Sequence, residues 1–448
     1  MFLKTKIQKI HLAVYLPLSL FLLLFFNLNF PAQSLKSKSK PVPVQKLSKA
    51  DDAFLEDLSK RSFQYLWEQS DAKTGLTLDR TLTNGTPKTV KEGYQVASSA
   101  ATGFALTGLC VAADRNCIKK KAARERARTT LQFYADKSFE ERGWFYHFVN
   151  QANGERHRKS EISSIDTALL LGGVLSVRQC FKDDDEIVRL ATKIYDRVDF
   201  GWMLNGDKYL LSHGSRPETG FIKIRWGTFS EHPILYVLAI GSRKFPIPAE
   251  SWYAWERNWV EFGEYKFLSG GAPLFIHQFP QAWLDLRNRK ESRAPFINYY
   301  ENSVTATRAH KDFCLSLSKE FPGYTENVWG ITASDSQKGY VAWGGPPRHR
   351  RIDGSVVPCA AAGSLMFTPD ISLAALKEMK TKYGDKIYGK YGFTDAFNPN
   401  NDWVNPDVIG IDIGITLLSA ENLRSGKVWH WFMQNKEITD ALDKIGLK

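Results

Sequence analysis

Glu161-Ile-Ser-Ser-Ile-Asp-Thr-Ala-Leu-Leu-Leu171 sets two carboxylates, Glu161 and Asp166, at the entrance of a strongly apolar segment. The arrangement recurs twice. Trp226-Gly-Thr-Phe-Ser-Glu-His-Pro-Ile-Leu-Tyr236 puts Glu231 ahead of the run Ile234–Ile240, and Ile409-Gly-Ile-Asp-Ile-Gly-Ile-Thr-Leu-Leu418 puts Asp412 ahead of another. A helix apolar nearly all round lies inside a large protein. An acid in its first turn stands where that interior meets a cleft, so three such openings predict acids gathered at one mouth.

Outward from these segments the chain reads as helix after helix. Phe54, Leu55, Leu58, Phe63 and Leu66 space an amphipathic helix ending near Gln69. Tyr94–Ala113 is nearly uncharged and predicts an inner helix, whereas Lys119–Lys137 is charged on one face and predicts an outer one. Ser163–Cys180 (apolar) and Asp185–Asp199 (amphipathic) repeat the alternation, as do Glu231–Gly241 and Ser251–Phe262. Further helices are expected at Tyr299–Leu317, Pro358–Phe367, Pro369–Tyr383, Asp412–Arg424 and Val428–Leu442. Strand-like stretches such as Lys208–Leu211 and Phe221–Trp226 are few and read as short β-hairpins at helix ends. The fold class is therefore all-α, a single (α/α)6 barrel of helical hairpins. An open solenoid would show a fixed sequence period, and none is evident.

Composition frames this domain. The chain has 448 residues, 43% of them hydrophobic, with 13 Trp and a formal charge of +12. Residues 1–34 have the form of a secretory signal: Lys4, Lys6 and Lys9, then the apolar run Leu12–Phe26, then Ala32-Gln-Ser34. The run is roughly fifteen residues, short of the roughly twenty that span a bilayer, so a membrane anchor arises only if an extended segment stays uncleaved. Removing it leaves a charge of roughly +9, scattered over the chain, with no nucleic-acid module and no stacking platform. Residues 35–49 read as a flexible tether, and 50–448 as the folded domain. Cys110, Cys117, Cys180, Cys314 and Cys359 form no CxxC or Cys/His metal pattern, and most read as buried small hydrophobes.

Each acid has a structural reading as well as a chemical one. Ser163 with Asp166, and Thr228 with Glu231, have capping-box spacing, and Asp412 could be an N-cap balanced by Gly426. Capping does not explain Glu161, which precedes the helix, nor the Gly- and aromatic-rich words nearby: Glu141–Phe148, Pro273–Gln278 and Trp329–Asp335. Aromatic faces beside Asp, His and Arg suit sugar rings. Glycoside hydrolysis needs one carboxylic acid and one carboxylate. Glu231, among Trp226, Phe229 and Pro233, has the drier setting and is the expected general acid, with Asp166 the expected base or water-holder. No HxH or HExxH spacing exists, so neither metal nor cofactor is expected. His147 and His277 read as sugar contacts or packed histidines. Asp335 reads as a loop brace or a substrate contact, Asp353 as a turn residue, and Arg287 with Asp285 as a buried ion pair orienting His277.

These same residues resemble the glucoamylase-like proteins related to glycoside hydrolase family 144, the bacterial endo-β-1,2-glucanases. The matching words are Asp79-Arg80, Gly143–Phe148, Glu161–Leu169, Ser230-Glu231, Phe275–Gln278, Trp283–Arg287, Tyr300–Ser303, Trp329–Asp335, Ile409–Asp412, Glu421-Asn422 and Arg424–Gly426. The resemblance implies an (α/α)6 barrel that cleaves β-linked glucan by inversion without a metal, with Glu231 as acid and Asp166 beside it. The expected substrate-binding set around that pair is Glu161, His147, Trp226, His277, Gln278, Asp335, Asp412, Asp79, Arg80 and Trp329. Two positions depart from the family pattern. Gly227-Thr-Phe229 replaces an Asp-x-Tyr pair, and Gln281 stands where a His is common. The expected partner is an oligo- or polysaccharide, bound by a monomer in the periplasm or outside the cell. The alternatives are a non-catalytic glycan binder, or a phosphorylase or lyase, on the same barrel.

Overall fold

In the computed structural model, residues 47–271, 273–349 and 351–448 are described, so the expected signal segment and most of the tether lie outside the described residues. The first helix begins at the last residue of that tether: α1 spans Lys49–Glu68, and the Ser48 side chain accepts from the Asp51 N–H as its N-cap. Then come α2 (Ser99–Asp114), α3 (Lys120–Asp136), α4 (Ser164–Cys180), α5 (Asp185–Asp196) and the short α6 (Phe200–Met203). The middle of the chain holds α7 (Pro233–Gly241), α8 (Ser251–Ala254), α9 (Phe275–Gln281) and α10 (Tyr299–Ser316). The last part holds α11 (Pro358–Ala362), α12 (Pro369–Tyr383), α13 (Gly410–Arg424), α14 (Lys427–Met433) and α15 (Lys436–Ile445). The protein is mostly helical.

Apolar sequence decides the layer. α2, α4, α7 and α13 are buried on almost every face, whereas α3, α5 and α15 bury one stripe. The inner helices follow one another in space: α2 packs on α4, α4 on α7, α7 on α9, α11 on α13, and α13 on α2. Gln278 of α9 joins α11 by donating from Nε2 to the Ala360 carbonyl at 2.8 Å. The closest of these contacts is made by glycine. A Cβ on Gly173 of α4 would lie 2.1 Å from the Gly103 carbonyl oxygen of α2, and one on Gly103 would lie 2.3 Å from the Leu169 carbonyl.

Short hairpins occur as expected, for example Tyr388–Gly389 with Gly392–Phe393 and Phe397–Asn398 with Trp403–Val404. Three further pairings join distant loops, and they end where inner helices begin. Arg80–Leu82 pairs antiparallel with Asp407–Ile409, just before α13. Val96–Ser98, just before α2, pairs with Phe148–Asn150, and Ile162–Ser163, just before α4, pairs with Gly214–Arg216. Each ladder fixes the entry of an inner helix by backbone hydrogen bonds to a remote part of the chain. Lys208–Leu211 forms no strand, and of Phe221–Trp226 only Phe221 does, paired with Ser215.

Several helix expectations need correction. Tyr94–Ala113 is helical only from Ser99, after the strand Val96–Ser98. Ser251–Phe262 is helical only to Ala254, and Trp259–Phe262 turns into a true hairpin with Tyr265–Leu268. Its alternating exposure, Trp259 out and Val260 part-buried, is the period of a half-buried strand. Val428–Leu442 breaks into α14 and α15 at Asn435, whose amide is drawn into hydrogen bonds with Leu175, Phe432 and Arg178. Pro358–Phe367 is regular only to Ala362. All five cysteines are free, and the thiol neighbour of Cys110 is Cys180 on α4 rather than Cys117.

Replacing Gly173 by Ala forces a methyl against the Gly103 backbone, which cannot swing aside as a side chain could. The expected cost is at least the ~1–3 kcal/mol typical of overpacking. Urea unfolding should show a lowered midpoint for Gly173→Ala, whereas Gly206→Ala, with open space around its Cβ position, should lose less even though its φ is positive. Equal midpoints for the wild type and Gly173→Ala would refute the close approach.

Candidate active site

The mouths of the inner helices open onto two adjoining cavities. The inner one, about 420 Å³, is lined by residues that include Asp79, Arg80, Asp166, Glu231, Gln278 and Asp412. The outer one, about 650 Å³, is lined by Glu161, Ser163, His213, Arg216, Trp226 and Ser230 among others. His147, Ile165, Asp166, Glu231 and Phe275 line both, so they form the waist between them. Asp166, Glu231 and Asp412, far apart in the chain, thus look into one hollow.

Asp166 sits in the first turn of α4 and is 8% exposed. The Ser163 hydroxyl accepts from its N–H at 3.2 Å and donates to its Oδ2 at 2.5 Å, so capping and presentation use the same residue. Burial pushes the Asp166 carboxyl up, while the His147 charge and the Ser163 hydroxyl pull it down. The helix N-terminus favours its ionised form as well.

His147 holds two carboxylates apart. Its Nδ1 lies 3.2 Å from Glu161 Oε1 and its Nε2 lies 3.4 Å from Asp166 Oδ1. The ring stacks on Phe148 at 3.6 Å. Burial alone would lower its pKa, but the Asp166 and Glu161 charges outweigh burial and hold it up at about 8. Glu161 is driven down to about 2, chiefly by its hydrogen bond to His147, with Arg216 3.5 Å away adding to the effect. His147 thus stands as an imidazolium between Glu161, a carboxylate held low, and Asp166, whose carboxyl burial raises on balance.

Glu231 is not part of a helix. α7 begins at Pro233, and neither Thr228 nor Glu231 caps it. Proline at the first helical position has no N–H to be satisfied, so the capping-box reading has no role there. Glu231 instead stands in the preceding loop with Ser230 donating to its Oε2. Burial pushes its carboxyl above the usual range, Ser230 works against that, and the nearby Asp166 charge adds to the rise. Of the acids at the waist, Glu231 has no cation in contact.

At the far wall of the inner cavity Arg80 is surrounded by acids: Asp79 at 3.2 Å, Asp335 at 2.7 Å and Asp407 at 3.5 Å. Asp412, third residue of α13, is pushed up by burial to about 6, restrained by the neighbouring Asp395 and Cys359 and by Arg80. The N-cap position belongs to Ile409, so Asp412 is not the cap.

The remaining expected residues divide. Trp226 lines the outer cavity, its ring stacked 3.8 Å from His213 and its Nε1 donating to Ser164 Oγ at 2.9 Å. Asp335 braces Arg80 and lies behind the lining. His277 and Trp329 are not on the wall. His277 is buried against Phe229 and Phe267, and Trp329 is fully buried beside His310 in a separate apolar cluster. Aromatic density marked those words, and here it serves packing. Arg287 and Asp285 form a partly exposed pair 2.8 Å apart, with Arg287 over Trp429, so the pair is neither buried nor set on His277. Asp353 is a turn residue, its Oδ1 accepting from the Ser355 N–H. Two wall residues escaped the sequence: Tyr340, a half-exposed aromatic, and Arg216. Asp395, behind Asp412, also went unnoticed, because it heads no apolar helix.

The Glycoamylase family model matches residues 223–436. An exo β-1,2-glucooligosaccharide sophorohydrolase (non-reducing end) of Parabacteroides distasonis is 24% identical over 444 residues. That match takes in 91% of this chain and 60% of the relative, so the chain spans well under two thirds of that relative's length. The solved endo-β-1,2-glucanase of Chitinophaga pinensis, in complex with sophorotriose and glucose, superposes with a TM-score of 0.81 at 26% identity. It covers 90% of this chain and 99% of its own. The endo-β-1,2-glucanase of Talaromyces funiculosus with β-1,2-glucan reaches a TM-score of 0.62 over 90% of this chain and 92% of its own. At 14% identity that likeness speaks for the fold alone. The chain is related to the glucoamylase-like proteins.

The His147 trio makes a stability prediction with a definite sign. A histidine raised from ~6.5 to about 8 contributes fully below about pH 6.5, and the contribution fades as pH rises through 8. The gap in Tm between the wild type and His147→Gln should therefore narrow from pH 6 to pH 9. A gap constant over that range would contradict an imidazolium between the two carboxylates.

Proposed function

We infer that this relative of the glucoamylase-like proteins is a glycoside hydrolase acting on β-glucan, with β-1,2-glucan the favoured substrate. The observation that carries the inference is the waist, where Glu231 and Asp166 meet between two cavities that could each take part of a glycan chain. Glu231, with its carboxyl pushed up by burial and no cation beside it, keeps its proton and protonates the departing glycosidic oxygen. Asp166, whose charged form the His147 imidazolium and the start of α4 favour against the pull of burial, draws a proton from an attacking water. Attack by water on the face opposite the departing oxygen inverts the anomeric centre. The β-1,2 linkage is the one named for the Parabacteroides sophorohydrolase and the Chitinophaga endoglucanase. The ring of inner helices described above fits an (α/α)6 barrel, and the signal-like residues 1–34 fit export to the periplasm or beyond.

The glycan-binder alternative drew on Gly227 and Gln281. Gln281 is buried, its amide donating to the Tyr299 carbonyl at 3.1 Å and to Ser303 Oγ at 2.7 Å. A side chain tied up behind the wall is a packing change, not a missing catalytic group. The hydrolase reading is therefore preferred.

Purified protein should release sugar from β-1,2-glucan in a panel of linkage-defined glucans. Glu231→Gln and Asp166→Asn should each lower kcat by about 10²–10⁴-fold, the usual worth of a general acid or base. Equal rates in wild type and Glu231→Gln would remove Glu231 from its role. Proton NMR of the fresh product should show the α-anomer first, and initial β-anomer would replace inversion by retention.

A further inference from the structure

At the wall of the inner cavity, Asp412 and, behind it, Asp395 form a carboxyl pair that the chemistry at the waist does not use. Asp395 lies between the two-residue strands Gly392–Phe393 and Phe397–Asn398 and is 2% exposed. Its Oδ2 accepts from the Asp335 backbone N–H at 2.9 Å and from Asn405 Nδ2 at 2.7 Å. Its Oδ1 is buried with no partner among the described residues, and so is Oδ2 of the neighbouring Asp412. Two carboxylates cannot share such a site fully ionised, and buried oxygens seek a donor. One proton between the two orphaned oxygens satisfies both.

We propose that Asp395 is a positioning residue that carries this proton on Oδ1 and donates it to Asp412 Oδ2, leaving Asp412 an anionic acceptor for a substrate hydroxyl in the inner cavity. Three observations place the proton on Asp395 rather than on Asp412. Oδ2 of Asp395, with two N–H donors, is bonded as a carbonyl oxygen is. Asp412 lines the cavity and feels the Arg80 charge, whereas Asp395 is the more deeply enclosed. Burial and the adjacent Asp412 also push the Asp395 carboxyl well above the usual range. The other groups facing the pair are Asp79, Asp335 and Tyr340, Cys359 from α11, and Asp407, which Lys88 contacts at 2.7 Å.

A protonated Asp395 has the hydrogen-bonding pattern of asparagine: one oxygen that accepts twice and one group that donates. Asp395→Asn should therefore rescue what Asp395→Ala loses. Relative to wild type, Asp395→Ala should lower kcat/KM by about 10–100-fold, the loss of a hydrogen bond to a charged group. Its acid limb should move up by about one pH unit, because Asp412 loses the donor that favours its ionised form. Asp395→Asn should recover most of the rate and keep the acid limb in place. An Asn variant as impaired as Ala, or an Ala variant with an unmoved acid limb, would overturn the proposal.

The kinetic arm rests on the hydrolase reading, and a second arm does not. In Glu231→Gln protein, chosen so that Glu231 contributes no proton, the infrared spectrum at neutral pH should contain a protonated-carboxyl band that Asp395→Asn removes. Absence of that band in Glu231→Gln protein overturns the proposal even if the Asn variant fails to fold. A band in Glu231→Gln protein, together with wild-type protein that hydrolyses no glucan, would sink the hydrolase reading alone.

Discussion

Carboxyl groups crowded into one water-poor hollow cannot all be ionised at once, and the architecture around this hollow answers that constraint. Asp79, Asp166, Glu231 and Asp412 line it, with Asp395 behind. Each is managed differently. Asp166 has an imidazolium, a serine hydroxyl and a helix start. Asp79 has Arg80. Glu231 has a serine and dry surroundings, which favour its neutral form. One crowded site thus gives its acids different surroundings: a cation and a helix start favour the charged form of Asp166, and burial without a cation favours the neutral form of Glu231.

The fold produces the crowding through its helix entries. Apolar helices pack side by side and their N-termini emerge at the same place. The ladders at Ser98, Ser163 and Ile409 stop each helix from sliding along its neighbour. The glycine contact between α2 and α4 brings two of those entries close together. A register shift of a single residue in the Ile162–Ser163 ladder would turn Asp166 away from His147, so backbone pairing between remote loops sets side-chain geometry at the waist.

Much of this was legible in the chain itself. Uninterrupted apolar runs behind Asp166 and Asp412 marked inner helices, and the acids at their heads marked the hollow. Glu231 reached the same hollow by a different local structure, a loop ahead of Pro233, because burial of the Ile234–Ile240 run rather than capping places it. The inner–outer alternation failed where helices were short or interrupted: after Ala254 the chain takes the period of a strand, and at Asn435 side-chain hydrogen bonds to remote backbone leave no local pattern. His277 and Trp329 show the limit of aromatic density as a signal: the same ring that stacks on a sugar also fills a core. Asp395 carried no signal, because its importance comes from the neighbour that folding gives it.

The central claim is that the scissile bond lies at the waist between Glu231 and Asp166. A crystal structure of Glu231→Gln protein with a β-1,2-linked glucooligosaccharide tests it directly. The account predicts sugar rings in both cavities, with the glycosidic oxygen against residue 231 and a water between Asp166 and the anomeric carbon. An oligosaccharide bound elsewhere, or one threading the waist with no glycosidic oxygen near residue 231, would contradict it.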